Sequence, residues 1–525
     1  MWGCRSSLGS WVLPLVLLAP ALLPATEPPP SGEQKERISR GRRIYVEGTS
    51  PAGGEITAVV SDVEVPASAI PCASCHGRDG KGRPEGGISP TDLTWANLTK
   101  PYGITHPSGR RHPPYDARLL KRAITMGIDP AGNALNVAMP RFRMSLQDMD
   151  DLVAYLQQLG RGPDAEVGAA TLKVGVLLPP ANDMGRAVRA VLTARFGELN
   201  RDGGIYGRKI DLRFLEAPGP PGRRRASTAD FLARERIFAG VACFLAGADA
   251  ELASLFEEKE IPLVGPFTLH PREPVPLGRY VFYLLPGLEA QGRALVRFAR
   301  GRWQEKSRAA VVAPADNDLD DAVAATAKAV AAADGSAPLT LRVHQGSGPA
   351  DLRRLAEAKA DPVFFLGSGP EAAALLQALD RLDWHPRFLA TAAAADGSLF
   401  GAPDAFDGRI FLALPTPPEG PEPEAAAAYR ALAAAARLPA DNVSAQLSAL
   451  AAAAVLIEGL ERAGRDLSRE RLVDELEGLR SFRSGYAPPV TYGAGRRLGA
   501  RGAYVVRLDL KAKRFEPLGG WVEVE

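Results

Sequence analysis

The hydrophobic pattern of the chain changes character near residue 170. Before that point, apolar residues recur at helical spacing in residues 33–48, 115–126 and 146–159, and loops rich in Gly, Pro and Ser separate these segments. Ser145 is placed to cap the last helix. A short β-like run lies near residues 56–65. The pattern therefore predicts a mainly helical first unit.

After residue 170 the pattern becomes strand followed by helix. A buried strand at residues 172–179 precedes a long amphipathic helix at residues 184–200. Further strand-then-helix units begin near residues 210, 241, 263, 309, 363, 388 and 410, Ala-rich helices follow at 425–436 and 445–463, and a hairpin of strands ends the chain at 503–510 and 515–524. Such alternation predicts parallel sheets covered by helices on both faces.

The N-terminus has the features of a secretory signal. Arg5 is followed by an apolar stretch at residues 11–23 that two prolines interrupt, and small residues up to Ala25 offer cleavage sites. We predict a signal peptide at residues 1–25 and an exported, periplasmic protein. In the rest of the chain we expect no membrane span.

Charge and cysteine content narrow the possible partners. The 63 basic and 61 acidic residues nearly balance, which gives no reason to expect a nucleic acid or an anionic membrane as partner. The chain has four cysteines, of which Cys4 would leave with the signal peptide. Cys243 lies in an apolar run and is expected to be a small buried hydrophobe, so we expect no structural disulfide.

The most specific chemical signal is the sequence Cys72-Ala73-Ser74-Cys75-His76. The spacing C-x-x-C-H is the attachment signature of a c-type haem, in which two thiols bond to the porphyrin and the adjacent imidazole binds the iron. A redox dithiol or half of a zinc site would share the C-x-x-C spacing. A Cys₄ zinc site would require a second closely spaced pair of cysteines, and the sequence has only one such pair.

Two separated motifs extend this signal. Residues 72–82 read Cys-x-x-Cys-His-Gly-x-Asp-Gly-x-Gly, and residues 138–142 read Ala-Met-Pro-x-Phe, followed by the helix that Ser145 caps. In this order they resemble the class I cytochromes c over residues 37–160. The resemblance implies an all-α domain with one covalent haem c, one-electron transfer, and a periplasmic redox enzyme or another cytochrome as partner.

Met139 is the predicted distal ligand of the iron, opposite His76. A thioether is a soft neutral donor that raises the reduction potential of a haem, and Met139 lies 63 positions after His76 in a loop that can fold back over the ring. Met126 ends a helix, whereas Met144 and Met149 fit packing positions beside the last helix. His106 and His112 are expected to be exposed in a polar loop.

The remainder of the chain resembles the type I periplasmic binding proteins. Residues 173–179, the run Glu-Leu-Asn-x-x-Gly-Gly-Ile-x-Gly-Arg at 198–208, and Ile-Pro-Leu-Val-Gly-Pro at 261–266 carry a resemblance to the leucine/isoleucine/valine-binding group of ABC importers. It implies two doubly wound α/β lobes joined by three crossovers, with a ligand cleft between them. We assign residues 161–170 to a linker and 171–525 to this domain.

In that family, loops after the third and fourth strands hold the ligand's carboxylate. Here the corresponding loops offer Gly247, Ala248 and Thr268, which present backbone N–H groups and one hydroxyl, and Asp396 is the acidic candidate to pair with a ligand ammonium. The family's Tyr-Gly after the fifth strand is replaced by Asp-Asn-Asp at 316–318. These departures disfavour an amino acid as the ligand.

Together these features predict an electron carrier, not an enzyme. The C-terminal module would bind a small organic solute or dock a redox partner. The alternative is the solute receptor of an ABC importer that carries an accessory haem. A haem peroxidase is a third hypothesis, and it requires an open distal position on the iron.

Overall fold

The chain divides into two compact units, Met1–Arg161 and Gly162–Glu525. The computed structural model describes residues 32–524 except 61, 83–89, 102, 107–108, 161–166, 169, 181, 217–218, 274–277, 304–307, 316–318, 345–348, 466 and 494. The predicted signal peptide and most of the predicted linker therefore lie outside the described residues.

The first unit is helical with two small sheets. Its helices are α1 (Gly32–Glu47), α2 (Cys72–His76), α3 (Trp95–Leu98), α4 (Ala117–Met126) and α5 (Leu146–Leu156). Its strands are β1 (Thr57–Val60), β2 (Val63–Pro66), β3 (Ile104–Thr105), β4 (Arg111–His112) and β5 (Arg141–Arg143). Strands β2, β1 and β5 form one antiparallel sheet, and β3 pairs with β4. The helical class is confirmed, and the β-like run near residues 56–65 forms the β1–β2 hairpin.

The first and last helices of this unit pack against each other at a glycine. A Cβ atom on Gly41 would lie 1.9 Å from the carbonyl oxygen of Asp151, so the two backbones meet where α1 has no side chain. Beside this contact, the rings of Tyr45 and Tyr155 lie 5.3 Å apart, and the Arg40 Nε atom donates to the Asp151 carboxylate over 2.6 Å. Close approach, ring packing and an ion pair therefore hold α1 on α5.

The second unit has two lobes. The first lobe is built on a parallel sheet in the order β10-β9-β8-β6-β7. Its strands are β6 (Thr171–Leu178), β7 (Lys209–Glu216), β8 (Ala239–Val241), β9 (Leu263–Val264) and β10 (Val281–Phe282); its helices are α6 (Asp183–Arg201), α7 (Pro221–Glu235), α8 (Asp249–Glu258), α13 (Pro423–Ala436), α14 (Val443–Ala463) and α15 (Arg469–Glu477).

The second lobe is built on a mixed sheet in the order β12-β11-β13-β14-β15-β16-β17, with β18 beside β16. Its strands are β11 (Ala310–Pro314), β12 (Leu339–Val343), β13 (Val363–Phe365), β14 (Phe388–Ala390), β15 (Ile410–Leu414), β16 (Gly502–Asp509), β17 (Arg514–Pro517) and β18 (Val522–Glu523); its helices are α9 (Leu288–Arg302), α10 (Asp320–Asp334), α11 (Pro349–Glu357) and α12 (Gly369–Asp380). The predicted α/β class is confirmed.

Three crossovers join the lobes: β10 to α9, β15 to α13, and α15 to β16. The first and third run side by side, because the Gly499 amide donates to the Tyr283 carbonyl over 2.9 Å and the Ala500 amide donates to the Leu284 carbonyl over 3.3 Å. The short strand β10 and the strand β12 were not predicted from the sequence.

One helix in the described part of the chain, α14, is long and apolar enough to cross a membrane by length and composition. Within its most apolar 18-residue stretch, 61% is buried inside the protein, and residues such as Leu450 and Leu456 belong to the core of the first lobe. Core helices of soluble proteins share these properties. The expectation that no segment spans a membrane stays a prediction.

We expect Gly41→Ala to destabilise the first unit by about 1–3 kcal/mol, because the added methyl group would overlap the Asp151 backbone and force α1 and α5 apart. Hydrogen exchange of α1 and α5 peptides in the full chain should then become about ten- to a hundredfold faster. Gly32→Ala, in the same helix, is the control because no atom lies within 4 Å of its Cβ position. Unchanged exchange in the Gly41 variant would show that the helices do not depend on this contact.

Candidate functional site

The helix α2 fixes the orientation of a buried imidazole. It begins after Pro71 and ends at Gly77, whose φ of 72° is readily adopted by glycine and whose carbonyl accepts a hydrogen bond from the Tyr45 hydroxyl over 2.7 Å. His76 is 7% exposed, and its Nδ1 atom lies 2.9 Å from the Thr91 carbonyl. Since a carbonyl only accepts, Nδ1 carries the proton and Nε2 keeps its lone pair. Burial lowers the pKa of His76, which favours this neutral form.

His76 lines a cavity of about 900 Å³, which we call the N-terminal cavity. Cys72, Cys75 and Met139 line it as well, so the structure brings the four residues predicted for the haem site to one place. Much of the remaining wall is apolar, including Leu98, Leu120, Ile124, Leu135, Leu152 and Leu156. Its volume is within the range of about 300–1,000 Å³ typical of ligand and cofactor sites.

The loop of Met139 is held by local hydrogen bonds. The Met139 amide donates to the Asn136 carbonyl over 3.0 Å, and the Arg141 guanidinium donates to the Met139 carbonyl. The alternative methionines are placed differently: Met126 is 63% exposed, Met149 is buried in the core, and Met144 packs beside it. None of these three is among the described residues of the cavity wall.

Two of the three cysteines in the described part of the chain, Cys72 and Cys243, have the environment of unreactive thiols. Burial raises the pKa of Cys72 to about 12, whereas redox-active C-x-x-C thiols have pKa values below the ordinary cysteine value. Cys243 is fully buried in the first lobe, and burial raises its pKa to about 12 as well. The three cysteines in the described part of the chain form no disulfide.

The residues of the N-terminal cavity fit a covalently attached haem c. Cys72 and Cys75 would hold the porphyrin, and the His76 Nε2 lone pair and the Met139 thioether are the two donors that would bind its iron. The hydrogen bond from His76 to Thr91 supplies the outer support that orients such a histidine ligand. When bound, the group supplies one-electron chemistry.

The expectation that His106 and His112 are exposed was wrong. His112 is 5% exposed, His106 is half-buried, and both line the N-terminal cavity together with Arg110. The β3–β4 hairpin causes this, because its register pairs Ile104 with His112 and the His106 amide bonds to the Arg110 carbonyl over 2.9 Å. The polar composition of the loop gave no sign of the hairpin, and Arg110 was missed for the same reason.

In the second unit, two of the predicted ligand-binding groups converge on a carboxylate of the chain itself. The Gly247 amide donates to Asp249 Oδ2 over 2.9 Å, and the Thr268 hydroxyl donates to Asp249 Oδ1. These groups follow β8 and β9 at the carboxyl edge of the first lobe's parallel sheet, where ligands of such sheets bind. Asp249 therefore accepts from two of the donors that the resemblance assigned to a ligand's carboxylate.

The other predicted residues also have internal partners. The Ala248 amide donates to the Leu245 carbonyl over 2.8 Å, and Arg224 donates to the carbonyls of Ala246 and Phe244 beneath the same loop. In the second lobe, Asp396 accepts from the Ser398 amide over 2.8 Å and lies against the start of α12. Residues 316–318 lie outside the described residues.

Comparisons with known proteins agree with both units. A family model for periplasmic binding proteins matches residues 171–514, and one for cytochrome c matches residues 68–160. A fatty acid ABC transporter substrate-binding protein from Thermomonospora curvata has 17% identity and a TM-score of 0.55 over 69% of this chain and 95% of its own. A branched-chain amino acid ABC transporter protein from Thermus thermophilus, solved with bound valine, has 19% identity and a TM-score of 0.55 over 68% and 98%. No curated protein sequence matches the chain.

Proposed function

Because the chain belongs to the periplasmic binding protein family and carries a cytochrome c domain, we propose that it is an exported one-electron carrier fused to a solute-binding module. One observation carries the electron-transfer part of this proposal. Cys72, Cys75 and His76 come from one short segment and Met139 from another, 63 positions after His76, and all four line one largely apolar cavity. Such a set suits a single covalent haem c with two protein ligands on its iron.

Two protein ligands favour electron transfer over enzymatic chemistry. A peroxidase-type reaction requires an open position on the iron, whereas His76 and Met139 would both bind the iron and leave none open to a substrate. A thioether ligand from Met139 would raise the reduction potential of the group, and the apolar wall would limit its contact with water. The protein would therefore exchange electrons with a periplasmic redox enzyme or another cytochrome and would not transform a substrate itself.

The solute-binding module differs from an amino-acid receptor at its anion position. A ligand carboxylate at Gly247 and Thr268 would have to displace Asp249, because both donors already serve that side chain. Two carboxylates at one spot would also repel each other. We therefore expect a neutral or cationic small organic solute in this cleft. The alternative of an importer's receptor with an accessory haem shares this expectation but would not need electron exchange.

Covalent attachment is tested first, by intact-mass and pyridine haemochrome measurements on protein matured in a host that attaches haem. We expect the full chain to carry one haem, and Cys72→Ser with Cys75→Ser to remove the covalent mass. Cys243→Ser should retain it, because that thiol lies in the other unit. Colourless wild-type protein with both thiols of the motif open to alkylation would refute the proposal.

Replacement of Met139 by Ala tests the distal ligand. We expect a changed visible spectrum and a midpoint potential lower by on the order of 0.1 V, within the range of about 0.8 V that axial ligands span. Met126→Ala is the control because Met126 is exposed and outside the cavity wall. If Met139→Ala left both spectrum and potential as in the wild type, the iron would already lack a thioether ligand, as a peroxidase requires.

Asp249→Ala tests the solute class by calorimetry with valine and with valinamide, which lacks the carboxylate. Removal of the internal carboxylate frees two donors, and hydrogen bonds to a charged group contribute about 1.5–3 kcal/mol, so valine affinity should rise at least about tenfold. Glu251→Ala removes an equal charge from the same helical turn and should leave affinity unchanged. Wild-type protein that bound valine as tightly as the Asp249 variant would contradict this assignment.

A further inference from the structure

The β3–β4 hairpin places a pair of imidazoles and a guanidinium in the wall of the N-terminal cavity. The Nε2 atoms of His106 and His112 lie 3.0 Å apart, and Arg110 Nη2 lies 2.9 Å from the same Nε2 of His106. His112 Nδ1 lies 2.8 Å from the Pro113 carbonyl. These contacts fix which nitrogens can carry protons.

The protons of this cluster cannot all be placed well while both imidazoles are neutral. His112 Nδ1 must donate to the Pro113 carbonyl, so Nε2 of a neutral His112 is a lone pair and His106 Nε2 must donate to it. Arg110 is always a donor, and it then faces an N–H on His106. If His106 Nε2 instead accepts from Arg110, two lone pairs face each other across 3.0 Å.

Addition of one proton to His112 removes that mismatch but adds a positive charge beside Arg110. His112 Nε2 then donates to His106 Nε2, and Arg110 shares the same acceptor. The nearby carboxylate cannot offset the new charge by fresh hydrogen bonds, because Asp129 is fully buried and its oxygens already accept from Arg110, Ala131 and Asn133. Protonation of the pair therefore replaces a hydrogen-bond mismatch by an additional positive charge beside Arg110.

The other groups around the pair are positive or neutral. Tyr115 packs edge-on against His112 with ring centroids 5.0 Å apart, and burial raises the pKa of its hydroxyl. Arg122 on α4 donates to the Asp129 carbonyl. Burial, Arg110 and His112 together hold the pKa of His106 below its ordinary value, with Asp129 acting weakly the other way. A fall in the positive charge of the cavity would therefore favour proton uptake.

We propose that the His106–His112 pair is a redox-linked proton site, which binds one proton from water when one electron enters the N-terminal cavity and releases it when the electron leaves. This inference rests on the proposed function, which supplies the electron donor. The coupling is electrostatic: the three residues line the cavity, and an added electron makes it more negative. The pair thus acts as a charge-compensating element, and it lies more than 25 positions in the sequence from either predicted iron ligand.

The test is the midpoint potential of the matured full chain, measured by spectroelectrochemistry from pH 5 to 8. Because reduction favours the protonated pair, the potential should fall as pH rises, by up to about 59 mV for each tenfold fall in proton concentration. His106→Gln with His112→Gln keeps polar groups there without a titrating imidazole and should make the potential flat. His385→Gln, which alters a histidine of the other unit, should keep the wild-type slope.

A flat wild-type potential, or a slope that persists in the double variant, would overturn the proposal. If the double variant fails to mature, histidine NMR of the wild type in both oxidation states tests the proposal instead. The chain has six histidines, so only six imidazole signals need to be assigned. Two of them should titrate at higher pH in the reduced state, and equal titration in both states would refute the coupling. Loss of the proposed function itself is distinguishable, because it gives colourless protein.

Discussion

The candidate site of the first unit depends on the orientation of one buried imidazole, that of His76. The bond from His76 to the Thr91 carbonyl determines which ring nitrogen keeps a lone pair, and the short helix α2 turns that ring into the cavity wall. Tyr45 secures the end of this helix through the Gly77 carbonyl, and Tyr45 itself packs on Tyr155 of α5. The helix contact at Gly41 and the orientation of His76 in the cavity wall are thus parts of one packing arrangement.

The second unit combines a sheet of the family's fold with an internal carboxylate in the loops at the sheet edge. The parallel sheet and crossovers depend on buried apolar strands, and these are compatible with many sequences, as identities below 20% to solved structures of the same fold show. The loops at the sheet edge depend instead on polar contacts between specific residues. Here Asp249 accepts hydrogen bonds from two donors at that edge, Gly247 and Thr268. This arrangement involves the loops and requires no alteration of the strands beneath them.

The features predicted correctly from the sequence are those determined by residues close together in the chain. The haem-attachment motif at residues 72–76 and the alternation of strand and helix depend on residues close together in the sequence, and the helix at residues 33–48 was predicted from periodicity alone. The two-residue strand β10 was missed because so short a run carries no period, and β12 was also missed. His112 was wrongly expected to be exposed, since its burial results from pairing across a hairpin whose residues are mostly polar. The role of Asp249 depends on two loops that meet only in the folded chain.

Groups whose hydrogen bonds are satisfied differ from groups whose hydrogen bonds are mismatched in how readily they respond to a change of charge. Asp129 accepts four hydrogen bonds and Asp249 accepts two from the groups around it, so each is satisfied by the chain in one fixed state. The His106–His112 pair differs, because its hydrogen bonds are mismatched in the neutral state and its protonated state places a positive charge beside Arg110. A satisfied acid needs a large perturbation to change its protonation, whereas a mismatched pair needs a small one. The groups that respond to charge in the cavity are therefore the imidazoles, and the neighbouring acid serves as a fixed charge.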